Sequence, residues 1–126
     1  MKKQVKSPEC IIEVEFEVGG FMYGMTRYQF KANDMGSVIT TSSWTSPAND
    51  TVLSHYETTE FQKKICELKT ENWKKEYIDY DVLDGTEWKL IITYSDEKPV
   101  EYRGSNAYPS KWDNLVSIFG YEYNDD

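Results

Sequence analysis

One histidine and two cysteines among 126 residues leave few ways to build a reactive centre. A nucleophile activated by a neighbouring imidazole would have to use His55, which the sequence places in a long loop. Cys10 and Cys66 lie at a strand start and on a helix flank, with no activating motif beside either. They fit free thiols packed as small hydrophobes better than a bridge. So few scattered His and Cys donors argue against a metal site of that type, and no cofactor or metal is expected.

Asp79, Asp81 and Asp84 ahead of Gly85 approach a calcium loop, but the spacing is off. An EF-hand needs acids at its first, third and fifth positions and glycine at the sixth. Here the third acid and Gly85 come one place late, and Leu90 stands where the bidentate Glu belongs. A helix-to-strand turn accounts for the segment. "GGFMYG" at 19–24 is glycine-rich, yet no helix start follows to hold a phosphate, so it reads as a hairpin turn. Glu13, Glu15 and Glu17 alternate along a strand, and no pair stands out for glycoside hydrolysis.

The densest run of special residues is "YRGSNAYPSKWDNL", 102–115. Gly104, Asn106 and Tyr108, together with His55, form the candidate ligand or partner surface. Conformation alone also explains this run. Gly104 permits a positive φ, and Asn106 can fold its side chain onto the backbone. Pro109 precedes Ser110, an expected N-cap with Asp113 three residues on. The segment then serves as a joint between strand and helix.

The elements that must position these residues are legible from periodicity. In "IIEVEFEV", 11–18, Ile12, Val14, Phe16 and Val18 point one way and Glu13, Glu15 and Glu17 the other. Residues 22–32 return with Tyr28, Phe30 and Ala32 inward and Arg27, Gln29 and Lys31 outward, so acids oppose bases across a hairpin. Residues 37–45 read as a third strand, and 46–58 as the longest loop. Thr59 is the expected start of a helix with Gln62 as its reciprocal cap, and Phe61, Ile65, Leu68 and Trp73 are its apolar stripe. "EWKLIITY" places Trp88, Leu90, Ile92 and Tyr94 on one face. "VEYR" at 100–103 completes a second hairpin. A second helix carries Trp112, Leu115, Val116 and Phe119 and stops at Gly120.

These elements predict a single α+β domain over 1–126, with 1–9 a flexible segment: a two-layer structure, an antiparallel sheet of about five strands with two helices on one face. The repeated hairpin-then-helix order suggests a pseudo-repeat. Aromatic residues make up 15% of the chain, enough to supply a core at this length despite a mean hydropathy of −0.70.

A net charge of −8 repels polyphosphates and anionic membranes, which argues against direct nucleic-acid or membrane binding. No stretch has the length or apolarity of a signal peptide or membrane span, so a cytoplasmic protein is expected.

Trp73, "DGTEWKLIITYSD" at 84–96 and "YRGSNAYPSKWDNL" at 102–115 resemble a recurrent module of small, uncharacterised bacterial proteins. Its pattern runs Trp, Asp-Gly-Thr-x-Trp, an alternating strand, Gly-x-Asn-x-Tyr-Pro and an aromatic helix start. Trp112 stands where that family often has Phe. The resemblance covers a little over a third of the chain and implies a domain of unknown function, with no reaction or ligand attached.

A non-catalytic binding or interaction module with a protein partner is therefore the expected function, acting through the outer sheet face or the 46–58 segment. Two other classes stay open. One is an acidic nucleic-acid mimic that inhibits a DNA-handling protein, built on Glu13, Glu15 and Glu17. The other is an acid-base hydrolase using His55 beside a carboxylate.

Overall fold

A computed structural model describes residues 7–20, 24–33, 36–81 and 85–121. Among these residues seven strands form one sheet: β1 (Ile11–Gly20), β2 (Gly24–Asn33), β3 (Gly36–Ser43), β4 (Ser46–Leu53), β5 (Glu76–Ile78), β6 (Thr86–Tyr94) and β7 (Val100–Ser105). Their spatial order is β4-β3-β2-β1-β6-β7-β5. All neighbours are antiparallel except β5 and β7, which run parallel. Helices α1 (His55–Glu67) and α2 (Trp112–Phe119) complete the α+β architecture.

The sheet has more strands than the expected five and is mixed rather than purely antiparallel. Both extra strands lie at the edges, where hydrophobic alternation is weakest. β4 is exposed along nearly its whole length and carries Pro47, so it lacks the half-buried pattern that marks a strand. β5 has only three residues.

Alternation on the central strands sorts the two faces as expected, with one correction. Val14, Phe16, Val18, Phe30, Leu90 and Ile92 are fully buried, and the residues between them face outward. The correction concerns Ile12. A bulge between Ile11 and Glu13 shifts the register, so Ile11 enters the core and Ile12 is only half-buried. Buried side chains from both helices join the same core: Phe61, Ile65 and Leu68 at α1, and Trp112, Leu115 and Val116 from α2. Phe30 stacks on Phe61 at 4.3 Å, while Phe119 meets Phe16 and Tyr28, each at 5.2 Å.

Helix α1 begins four residues before the expected Thr59. Ser54 is its N-cap and accepts from the Glu57 amide at 3.0 Å, while the Glu57 carboxylate accepts from the Ser54 amide at 2.9 Å. Hydrogen bonds from the Ser54 amide and from the Ser54 hydroxyl hold the Glu57 carboxyl below its ordinary value. Gln62 is no cap. It is buried, and its side-chain amide donates to the Ile11 carbonyl at 2.9 Å, tying α1 to the start of β1. The segment 46–58 is thus a strand, a cap and a first helical turn. Helix α1 also ends earlier than expected, at Glu67, with Lys69 in the left-handed region at φ 53°.

Beyond Lys69 a 3₁₀ turn, Thr70–Asn72, buries the Thr70 hydroxyl, which hydrogen-bonds the phenols of Tyr94 and Tyr102. Trp73 lies past the helix rather than on its stripe. Its indole donates to the Leu68 carbonyl at 3.0 Å and meets Tyr102 and Trp88 edge-on.

Burial, with Cys66, Tyr102 and Glu71 nearby, pushes the Tyr94 phenol up to about 12 against the pull of its Thr70 bond; burial also raises Tyr102. A raised phenol contributes its full stabilisation below pH ~10, the unfolded value, and loses it as pH climbs through the folded value. In an alkaline titration followed at 295 nm, part of the tyrosine signal should lag beyond pH ~10 and appear as the circular dichroism of the fold is lost. Complete ionisation of all tyrosines near pH ~10, with the fold intact, would contradict this burial.

Candidate functional site

The segment 104–106 lies inside the sheet, paired on both sides. Towards β6, Trp88 opposes Gly104, Glu87 opposes Ser105, and the Asn106 amide donates to the Thr86 carbonyl at 2.8 Å. Towards β5, Tyr77 opposes Gly104, and the Asp79 amide donates to the Ser105 carbonyl at 2.9 Å. With neighbours on both edges, this backbone has little left to offer a ligand.

Gly104 is required for a reason other than the expected one. Positive φ belongs to Asn106, at 59°, and not to Gly104. Gly104 is the seat of the Trp88 indole. A Cβ there would overlap that ring and come within 2.7 Å of the Ala107 carbonyl oxygen, the same oxygen to which the indole N–H donates at 3.0 Å. The Asn106 side chain in turn lies over Gly85, where a Cβ would overlap its amide. Tyr108 is 38% exposed and packs its ring 4.7 Å from Trp112, at the start of α2. Ser110 does not cap that helix. Lys111 holds the N-cap position without a side-chain bond, and the Trp112 amide donates to the Pro109 carbonyl at 3.0 Å. Gly120 ends α2 at φ 71°, as expected.

His55 is the first residue of α1, exposed at the rim of an open depression of about 590 Å³ that Glu9, Thr58 and Gln62 also line. Among the described residues its side chain has no hydrogen-bond partner, and the adjacent Ser54 hydroxyl is engaged as the helix cap. Gly104, Asn106 and Tyr108 belong to the joint before α2, whereas His55 begins α1 beyond the far strands of the sheet. The structure does not gather the four into one site. Burial, reinforced by nearby Glu71, Glu9, Cys10 and Glu67, pushes the Cys66 thiol up, away from a reactive thiolate. No group of three His, Cys, Asp or Glu able to hold a metal exists among the described residues. Asp84, the third acid of the calcium-like stretch, lies outside them.

On the outer sheet face the expected acid–base pairing holds. Glu13 opposes Lys31 and Glu17 opposes Arg27. Arg27 bonds Glu15 at 2.6 Å, Lys89 lies 3.8 Å from Glu15 and 3.9 Å from Glu17, and Arg103 lies 3.5 Å from Glu76. The acidic row is interleaved with cations rather than continuous.

A further concavity lies on the helical side, and sequence reasoning missed it. It is a groove of about 900 Å³ beside the C-terminal half of α1 and the flank of α2. Leu68, Cys66, Ile118 and Pro8 supply apolar surface, and Lys63, Lys64, Lys69 and Lys111 line it with Glu67 and Asp113. Lys63 and Lys64 are adjacent in sequence, but nothing in the pattern announces that Lys111 joins them.

Comparison with protein-family models, curated proteins and solved structures gives no match to this chain. No helix among the described residues is long and apolar enough to cross a membrane.

Replacing Gly104 by alanine must displace the Trp88 ring and its bond to Ala107, and should lower stability by roughly 3 kcal/mol. Ser110→Ala should be nearly silent, and Ser54→Ala should cost about 1 kcal/mol through loss of the cap. Urea midpoints of the three variants test the order; a Gly104→Ala midpoint equal to that of the parent would rule out the indole seat.

Proposed function

We propose that the protein is a non-catalytic binding module whose working surface is the groove between α1 and α2. One observation carries this: the groove, about 900 Å³ in volume, combines apolar lining with a rim of lysines in a chain of net charge −8. Such a mixture of apolar surface and a few charged groups is what recognition sites use. The two hairpin-and-helix halves, a pseudo-repeat in this proposal, each contribute one wall. Membership of the uncharacterised bacterial family that residues 73–119 resemble, and a cytoplasmic location, belong to the same proposal.

The open rim around His55, the capping role of Ser54 and the raised Cys66 thiol favour binding over hydrolysis. The interleaved cations on the outer face favour it over nucleic-acid mimicry, because a mimic needs an unbroken run of carboxylates. The partner in this proposal is a protein.

A photo-crosslinking residue at Ser117, in the groove, should yield discrete crosslinked species in cells, identifiable by mass spectrometry. The same residue at Thr93, on the outer face, should not. Crosslinks from Thr93 alone would move the working surface to the sheet.

A further inference from the structure

Two of the groove's lysines occupy backbone positions where local physics disfavours them. Lys69 follows the end of α1 with φ 53°, a left-handed conformation that glycine adopts freely and a lysine resists. Lys111 is the N-cap residue of α2, where serine, threonine, aspartate or asparagine would satisfy an amide and where the positive end of the helix dipole repels a cation. It forms no side-chain cap. Lys64, in the last turn of α1, is by contrast well placed against the negative end of that dipole. Both misfits line the same groove.

Lys63 is partly engaged by Glu60 at 3.5 Å, but Lys64, Lys69 and Lys111 have no partner among the described residues. Glu67 and Asp113 also line the groove and offset part of its charge. Lysines remain in excess, around a floor that includes the buried Leu68 and the half-buried Cys66 and Ile118.

Resting on the binding role just proposed, we infer that this groove receives an acidic segment of a partner protein that also carries an apolar side chain. The lysines would pair with its carboxylates, and the apolar side chain would cover Leu68 and Ile118. A nucleic acid suits the groove less well. It would extend past a concavity of about 900 Å³ onto a chain of net charge −8, and it offers no aliphatic anchor.

The test uses the full chain and a dye-labelled decapeptide alternating Glu and Leu, followed by fluorescence anisotropy and by amide shifts in NMR spectra. Saturable binding is expected, weakening with salt, at least tenfold tighter than for the matching Gln-Leu peptide. Shifts should centre on residues 63–69 and 111–118. Lys69→Gly and Lys111→Ser should each weaken binding about threefold while holding or raising the thermal midpoint, since each removes a local misfit. A structural role for these lysines would instead lower the midpoint.

No saturable binding at millimolar peptide overturns the inference, as do equal affinity for a single-stranded oligodeoxynucleotide and self-association of the chain through the same residues. Equal binding of the Gln-Leu peptide in the groove overturns the acidic partner but leaves the groove as the working surface. Shifts confined to the outer sheet face overturn both.

Discussion

The indole of Trp88 lies against Gly104, and much of one end of the molecule is arranged around that contact. Because Gly104 has no side chain, the ring can cross its own cross-strand partner and donate to the Ala107 carbonyl two residues past the end of β7. The chain leaving the strand is thereby held where Tyr108 can pack against Trp112 and α2 can begin. Trp112 also packs 5.3 Å from Trp88, while Trp73 and Tyr77 approach the same ring at 6.3 and 6.0 Å. One aromatic side chain thus couples β6, β7, β5, the segment after α1 and the start of α2. Its polar atom is satisfied by a backbone carbonyl, which is the condition for burying tryptophan without an energetic penalty.

The opposite face of the sheet obeys a different constraint. No helix among the described residues covers it, so its residues must remain compatible with water, and cross-strand pairing organises them. Each pair between exposed side chains adds little stability in water, on the order of 1 kcal/mol or less. Their greater effect is on register. A slip of one residue would set Glu15 and Glu17 into the core and expose Phe16, so the alternation and the charge pairing enforce the same alignment.

The helical face shows both agreement and conflict between local preference and tertiary position. Ser54 and Glu57 at the start of α1, and Gly120 at the end of α2, are the residues their positions favour. Lys69 and Lys111 are not, and both border the groove. Sequences that fold well are mostly consistent at every level, and departures concentrate where something other than folding sets the residue. That concentration separates this groove from the His55 depression, whose Ser54 and Gln62 are already committed to structural bonds.

Much of the architecture is legible in the sequence. Period-two alternation assigned the inward faces of β1, β2, β6 and β7, because burial on one side of a sheet is local information repeated every second residue. Helical spacing at Trp112, Leu115 and Val116 identified α2 in the same way, and Gly120 identified its end. Tertiary structure decided what pattern could not carry. β4 is exposed on both faces, so it has no alternation to read and exists through pairing with β3. The bulge that buries Ile11 in place of Ile12 depends on the register against β6. Gly104 could be marked as special, but its purpose depends on an indole sixteen residues earlier in sequence, opposite it across a strand pair. Lys69 and Lys111 share a groove only because two helices, separated by the second hairpin, pack side by side on one core. Short-range periodicity records burial; convergence of distant residues is a property of topology, and only the folded chain contains it.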